Sequence, residues 1–342
     1  MMDKIVSPSQ AQPIENESIV VVIPMYRVEL FIQEVIKSIP PWISHIILVN
    51  DASPDDTIER VSEIIDHRIT LISHTVNQGV GGAVISGFRK ALELGATVIV
   101  KMDGDGQMSA EYLEPLLEPI LLGAADFTKG NRFETRENIE KMPIIRRWGN
   151  IGLSFITKAA SGYWNIFDPT NGYFSVDVDT LKRIKLNKLH SRYFFESSLL
   201  CELNRCRSVV EDVAMPSKYG DNSSSLSISR TLLEFPFLLL KALLKRILQQ
   251  YFILDFSLGS LYLIVGLFLC LFGGLWGLGW WIHSIITNIV TTTGTVMIAV
   301  LPIVLGFQLL IQFTAFDIQS APRIPFNRRR YLAKPLPYFF PH

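Results

Sequence analysis

The sequence predicts an α/β domain on a mostly parallel sheet with helices on both faces, followed by an all-α membrane hairpin. Three observations lead there. Short, nearly continuous apolar runs alternate with amphipathic helical patterns through the first half of the chain, as strands buried on both faces do. Polar and acidic residues stand at the carboxyl ends of those runs. From Phe256 to Phe316, 61 consecutive residues include no Asp, Glu, Lys or Arg.

The elements follow in order. Ile19–Pro24 is a β-branched strand, and a helical pattern runs from Glu29 to Ile39. Ile46–Asn50 is a second strand, followed by a helix over Pro54–Ile65 with Ile58, Val61, Ile64 and Ile65 on one face. Ile69–Ser73 is a third strand, Gly82–Leu94 a helix, Thr97–Met102 a fourth strand and Ala110–Leu122 a helix. Beyond Asp126 the pattern loosens. Helices are expected at Ile144–Ala160 and Phe195–Arg207, with strands near Tyr173–Val176 and Ser208–Val213.

Leu258–Ile282 and Thr295–Phe316 supply 25 and 22 mostly apolar residues. At about 1.5 Å per residue they reach roughly 37 and 33 Å, enough to cross a ~30 Å hydrocarbon core. His283–Gly294 between them is short, which makes the pair a hairpin, and Trp280 and Trp281 fall at the far interface. Pro302 is better tolerated in such a helix than in a soluble one. Lys241, Lys245 and Arg246 precede the first span, and Arg323, Arg328, Arg329, Arg330 and Lys334 follow the second. The intervening loop has no Lys or Arg, so both termini are expected in the cytoplasm. Ser229–Leu254 reads as an amphipathic helix, interrupted near its start by Pro236, lying either at the headgroups or against the soluble domain.

The expected organisation is therefore a flexible N-terminus (1–17), a catalytic domain (18–226), juxtamembrane amphipathic helices (227–255), two spans (256–317) and a basic tail (318–342). Overall the 342 residues balance 32 Lys+Arg against 32 Asp+Glu, which argues against a nucleic-acid partner. All 64 charges lie outside the uncharged run, at a density of about 23%, close to the ~25% of a soluble domain. A fully soluble enzyme and a many-span transporter are both excluded. Three cysteines and six histidines form no zinc-ligand spacing.

Ligands of open α/β sheets bind beyond the carboxyl ends of the strands. Pro24-Met25-Tyr26, Asp51, Asn77-Gln78-Gly79 and Asp103-Gly104-Asp105-Gly106-Gln107 stand at those ends. Two aspartates one residue apart in extended chain face the same side, about 6.5–7 Å apart. They can share a hydrated Mg²⁺ or Mn²⁺ together with its phosphates. An Asp-x-Asp alone also occurs in turns and calcium loops, but a strand end between glycines favours the functional reading. Gly79, Gly81, Gly82 and Gly87 imitate a dinucleotide fingerprint but follow the third strand instead of the first.

Together, Pro24-x-Tyr26-x-x-Glu29, Val49-Asn50-Asp51-Ala52-Ser53-x-Asp55, Asn77-x-Gly79-x-Gly81, Asp103-Gly104-Asp105-Gly106-Gln107 and Gly130-Asn131-Arg132 resemble glycosyltransferase family 2, with its GT-A fold, over roughly Ile19–Ser225. With the two spans, the chain is similar to the polyprenyl-phosphate branch typified by dolichol-phosphate mannose synthase. The resemblance implies metal-dependent, inverting transfer of one sugar from a UDP- or GDP-sugar to undecaprenyl or dolichyl phosphate at the cytoplasmic leaflet. It places Asp51 at the base and Pro24, Tyr26 and Glu29 around the nucleoside. Asp103, Asp105 and Gln107 match the metal–diphosphate motif, and Arg132 a phosphate-binding arginine. Arg146 or Arg147 and Lys218 match basic residues near the sugar phosphate, and Asp168 a site aspartate near the acceptor, acting as base or as orienting group. Arg27 and Asn50 depart from the usual residues, which leaves the base of the donor open.

A processive polysaccharide synthase would carry Gln-x-x-Arg-Trp, yet Ile144 stands three residues before Arg147-Trp148. A binding module without turnover is disfavoured by the intact acid pair, and a channel by the lack of charge within the spans. A homo-oligomer stays open.

Overall fold

The computed structural model describes residues 17–132, 144–215 and 228–327. Its strands are β1 (Ile19–Met25), β2 (His45–Asn50), β3 (Ile69–Ser73), β4 (Val98–Lys101), β5 (Phe127–Asn131), β6 (Phe174–Asp177) and β7 (Val210–Ala214). They join in one sheet of order β3-β2-β1-β4-β6-β5-β7. β1, β2, β3 and β4 are parallel, and β5 and β7 are parallel to each other. β6 runs antiparallel between β4 and β5. Six strands therefore end at one edge of the sheet, and the chain entering β6 starts there too.

Helices α1 (Ile32–Ser38), α2 (Thr57–Ser62) and α4 (Leu113–Leu121) cover one face. The other face carries α3 (Val80–Glu93), α6 (Val178–Arg183) and α7 (Phe195–Arg205). α5 (Ile144–Ser161) precedes β6 in the chain. The alternation of side chains along β1 builds both cores: Ile19, Val21, Ile23 and Met25 enter the first, Val20 and Val22 the second.

Two elements escape the sequence pattern. β5 reads Phe-Thr-Lys-Gly-Asn and shows no apolar run, yet all five residues are buried. α6 has only six residues, too few for a period, and is fixed by Asp177, whose carboxylate accepts from Asp179 N and Thr180 N at 2.9 and 3.2 Å. α1 and α2 also begin three residues later than their patterns suggest, because Glu29 and Asp55, near the expected starts, are tied into a loop junction described below.

The chain folds as two compact units, Met1–Ala242 with Pro322–His342, and Leu243–Ala321. The boundary falls inside α8 (Ile228–Leu248), which continues through Pro236 where an interruption was expected. A proline removes one i→i−4 bond, and a 21-residue helix retains the bonds on either side.

In the second unit, α9 (Leu258–Thr287) and α10 (Thr293–Gln319) are 30 and 27 residues long and apolar enough to cross a bilayer. α10 also continues through Pro302. Gly266 and Gly306 let the two backbones approach, since a Cβ on Gly266 would stand 3.1 Å from the Gly306 carbonyl. At their base Arg246 donates to both carboxylate oxygens of Asp317 at 2.7 and 2.9 Å, and Tyr251 Oη donates to the same carboxylate at 2.7 Å.

Candidate active site

Sheet order reverses at β1: β2 and β3 lie to one side and β4 to the other. Such a switch point opens a crevice beyond the strand ends. A cleft of about 540 Å³ occupies it, lined among others by Pro24, Tyr26, Asp51, Gly79, Asp103, Asp105 and Arg192. Of the residues expected at the site, the structure thus brings together Pro24, Tyr26, Asp51, Asp103 and Asp105. Glu29, Gln107, Arg132 and Asp168 are described but are not part of this lining. Arg146 and Arg147 lie on α5, with their side chains outside the described residues, and Lys218 lies outside them altogether.

The loops after β1 and β2 are stitched together. Arg27 N donates to Ser53 Oγ at 2.7 Å, Val28 N to Thr57 Oγ1 at 3.2 Å and Glu29 N to an Asp55 oxygen at 3.3 Å. Glu29 returns the contact, accepting from Asp56 N at 3.0 Å. Burial works against the Asp55 charge, but hydrogen bonds from Ser53 and Thr57 prevail and hold its carboxyl below the usual value. Arg27 and Ala52 both turn through the left-handed region, with φ of 57° and 53°. Glu29 and Asp55 thereby tie the loop after β1 to the loop after β2 on the Tyr26 side of the cleft.

Asp51 is 3% exposed. Its Oδ1 accepts from His74 Nδ1 at 2.7 Å and Gln78 N at 2.8 Å, and its Oδ2 from Gly79 N at 2.7 Å. The carboxylate thus caps the amino end of α3, whose N-cap residue Gly79 has no side chain to do so. Of its roughly four lone-pair sites three are occupied, leaving one on Oδ2.

On the other side, Lys101 Nζ lies 2.6 Å from Asp103 Oδ1, with the lysine 1% exposed. A Cβ on Gly172 would stand 2.5 Å from this Nζ and 3.1 Å from Asp103 Oδ2, so a side chain there would displace the pair. Burial, and then the neighbouring Asp103 charge, push the Asp105 carboxyl upward. Gln107 contributes its backbone N–H to Asp105 Oδ1 at 3.0 Å, while its side chain is exposed.

Beneath this edge lies a charged layer that the sequence reading missed. Lys101 on β4 and Lys129 on β5 both pair with Phe174 of β6, so the three side chains form a row on one face. Lys129 Nζ donates to the Asn171 carbonyl, and burial depresses its pKa to about 8. Glu196 from the first turn of α7 is raised by desolvation, with the charges of Lys101 and Lys129 opposing. The available signal was a lysine in each buried strand, since lysine is almost never buried without a partner.

Asp168-Pro-Thr-Asn171-Gly172 and Gly130-Asn131-Arg132 form one assembly. Asp168 is fully buried, and Arg132 donates to both its oxygens, Nε at 2.7 Å and Nη2 at 3.2 Å. Asn171 Nδ2 donates to the Gly130 carbonyl at 2.8 Å. A carboxylate so enclosed orients a guanidinium, which favours the orienting role for Asp168 over that of a base.

Known proteins bear on this geometry. The chain is 29% identical to the UDP-N-acetylglucosamine–dolichyl-phosphate N-acetylglucosaminyltransferase of Methanococcus voltae, over 61% of this chain and 88% of that protein. It is 35% identical to the undecaprenyl-phosphate mannosyltransferase of Micrococcus luteus, over 44% and 61%. The glucosyl-3-phosphoglycerate synthase of Mycobacterium tuberculosis, solved with Mg²⁺ and UDP, shares the fold at a TM-score of 0.50 and 19% identity, covering 68% of this chain and 80% of that one. The sequence model of glycosyl transferase family 2 matches residues 20–185. With its mixed, mostly parallel sheet and the acid pair at the end of β4, the chain carries a family 2 glycosyltransferase domain of the GT-A fold.

Proposed function

We propose that this protein transfers one sugar from a nucleoside-diphosphate sugar, UDP- or GDP-linked, to a membrane polyprenyl phosphate of the undecaprenyl or dolichyl type. The observation that carries the proposal is the meeting of Asp103 and Asp105 with Asp51 and Tyr26 in one cleft at the switch point of the sheet. The names of the relatives from Methanococcus voltae and Micrococcus luteus supply the acceptor class.

The acid pair suits Mg²⁺ or Mn²⁺. Among the described residues no three Asp, Glu, His or Cys side chains are placed to hold one metal ion together. Two carboxylates without a third protein ligand fit an ion that takes its other ligands from phosphates and water. Burial first, and the Asp103 charge second, raise the Asp105 carboxyl, and a cation held between the two acids would oppose both. Asp103 and Asp105 would hold the ion, and its contribution would be to offset charge developing on the departing diphosphate.

The remaining chemistry falls to the chain itself. Asp51 and the loop junction around Ser53 and Asp55 shape the nucleoside side. Arg132, oriented by Asp168, presents fixed positive charge at the segment that leads into β6. The acceptor phosphate monoester, with a second pKa near 6, is largely dianionic at pH 7 and attacks without a strong general base. A single displacement of this kind inverts the anomeric carbon. The basic flanks of α9 and α10 support a cytoplasmic catalytic domain and cytoplasmic termini.

Incubation with radiolabelled nucleotide sugars and a polyprenyl phosphate, followed by organic extraction, tests the proposal. Label should enter the lipid phase in an acid-labile, monoglycosylated product. Label that stays in water, or that enters a polymer, would reject it.

A further inference from the structure

Arg132 is bound to Asp168, which leaves open which cation within the cleft itself meets the donor. We propose that Arg192 is a binding residue for the diphosphate of the nucleotide donor. The inference rests on the reading of the cleft as a donor site and deepens it.

Arg192 precedes α7 and lines the same cleft as Asp103 and Asp105. Its backbone is held on both sides. Gly82 N donates to the Ser191 carbonyl at 3.0 Å, and Phe195 N to the Arg192 carbonyl at 2.9 Å. The stem of the side chain rests on Gly79: a Cβ there would stand 2.9 Å from Arg192 Cγ, and the Gly79 φ of 88° suits glycine alone. The loop before α7 and the glycine lip of α3 therefore fix where the arginine starts, while its guanidinium is exposed and makes no hydrogen bond or ion pair among the described residues.

That freedom is informative because three carboxylates line the cleft with it. Asp51 is occupied by His74 and two backbone amides, and Asp103 by Lys101. An arginine on a crowded acidic surface ordinarily takes an internal carboxylate as partner. This one is left for an anion from outside. A ligand that satisfies both an acid pair through a divalent ion and a guanidinium fork through its own oxygens is a diphosphate. Its charge exceeds what one divalent ion neutralises, and the guanidinium offsets the remainder.

The test uses the full chain in detergent with excess Mn²⁺, titrated by calorimetry with UDP, GDP, uridine, guanosine and a short-chain polyprenyl phosphate. Arg192→Ala should weaken the diphosphate that the wild type binds by about tenfold or more, as for a lost charge-assisted bond. Arg192→Lys should retain part of that affinity, because it keeps the charge and loses the fork. Nucleoside and polyprenyl-phosphate affinities should stay within about twofold of wild type, well inside the loss expected for a charge-assisted bond. Unchanged diphosphate affinity overturns the assignment, and so does an equal loss for the nucleoside or a loss confined to the polyprenyl phosphate. A wild-type protein that binds neither diphosphate removes the donor-site reading itself, a result separable from failure of the variant.

Discussion

Lys101 and Asp103 form an ion pair of 2.6 Å in which the cation is buried and the acid faces the cleft. The ammonium holds the first carboxylate of the Asp-x-Asp in place and offsets part of the negative charge that would attract a metal cation there. Lys101→Met keeps the volume and removes that competition. Mn²⁺ titration followed by the paramagnetic signal of the free ion should show tighter binding, while turnover falls about tenfold as Asp103 loses its fixed orientation. Weaker Mn²⁺ binding would show that the lysine builds the site and does not compete at it.

Asp103→Asn and Asp105→Asn each keep shape and remove charge from the pair. Loss of an electrostatic contact of this kind costs about 10²–10³ in rate. Both variants should lose sugar transfer by at least that much with circular dichroism unchanged; the melting temperature should hold for Asp105→Asn and fall for Asp103→Asn, which takes the ion-pair partner from the buried Lys101. Chelation with EDTA should abolish wild-type transfer, and Mn²⁺ or Mg²⁺ should restore it. Activity that survives chelation would remove the metal from the proposal.

The acid pair and the four parallel strands that deliver it were legible because local pattern decides them: apolar runs, and polar residues where each run stops. β5 was not, because its residues Thr128, Lys129, Gly130 and Asn131 are buried only through partners distant in sequence, such as Ser175 and Asn171. Arg132 and Asp168 were each singled out, but nothing local says that they bind each other across 36 positions. Arg192 went unnoticed for the same reason. Its place in the cleft comes from packing against Gly79, a contact between segments more than a hundred residues apart.

Lys129 gives the fold a dependence on pH. Its pKa falls from 10.5 to about 8, chiefly through burial. Below pH 8 folded and unfolded chains both carry the proton, and the cost of burying the charge is felt in full. Between pH 8 and 10.5 the unfolded chain keeps the proton that the folded one has lost, so stability rises with pH. The shift corresponds to about 3 kcal/mol at 1.36 kcal/mol per unit. Lys129→Met removes that cost but leaves the Asn171 carbonyl without its donor, a loss of about 1–2 kcal/mol. The variant should be about 1–2 kcal/mol more stable than wild type at pH 7, with the advantage shrinking as pH climbs from 8 toward 10. Thermal melts in detergent across that range measure it. A difference that does not vary with pH would trace the effect to packing.

Asn327 closes the opposite end of the sheet. It follows α10 in the chain yet is 2% exposed, and its side-chain amide donates to the carbonyls of Ile120 and Ala125 at 3.1 and 2.8 Å. Beside it the buried Asp126 carboxylate accepts from Val209 N at 2.8 Å, Phe326 N at 2.7 Å and Asn327 N at 3.2 Å. Arg183 lies over the Phe326 ring at 4.2 Å. Asp126 and Val209 immediately precede β5 and β7, so this junction sits at the amino ends of the strands, away from the cleft. Asn327→Ala takes the side-chain donor from the Ala125 carbonyl, while the Ile120 carbonyl keeps Gly123 N at 2.9 Å, and should cost about 1–3 kcal/mol of stability. Faster hydrogen exchange should appear at Val209, Phe326 and residue 327, with nucleotide affinity unchanged below the melting transition. The two effects separate because the sheet lies between them: its carboxyl edge is fixed by Asp51, Lys101 and Gly172, and none of these touches the Asp126 junction. A variant that lost nucleotide affinity while keeping its melting temperature would show that the two ends of the sheet are coupled.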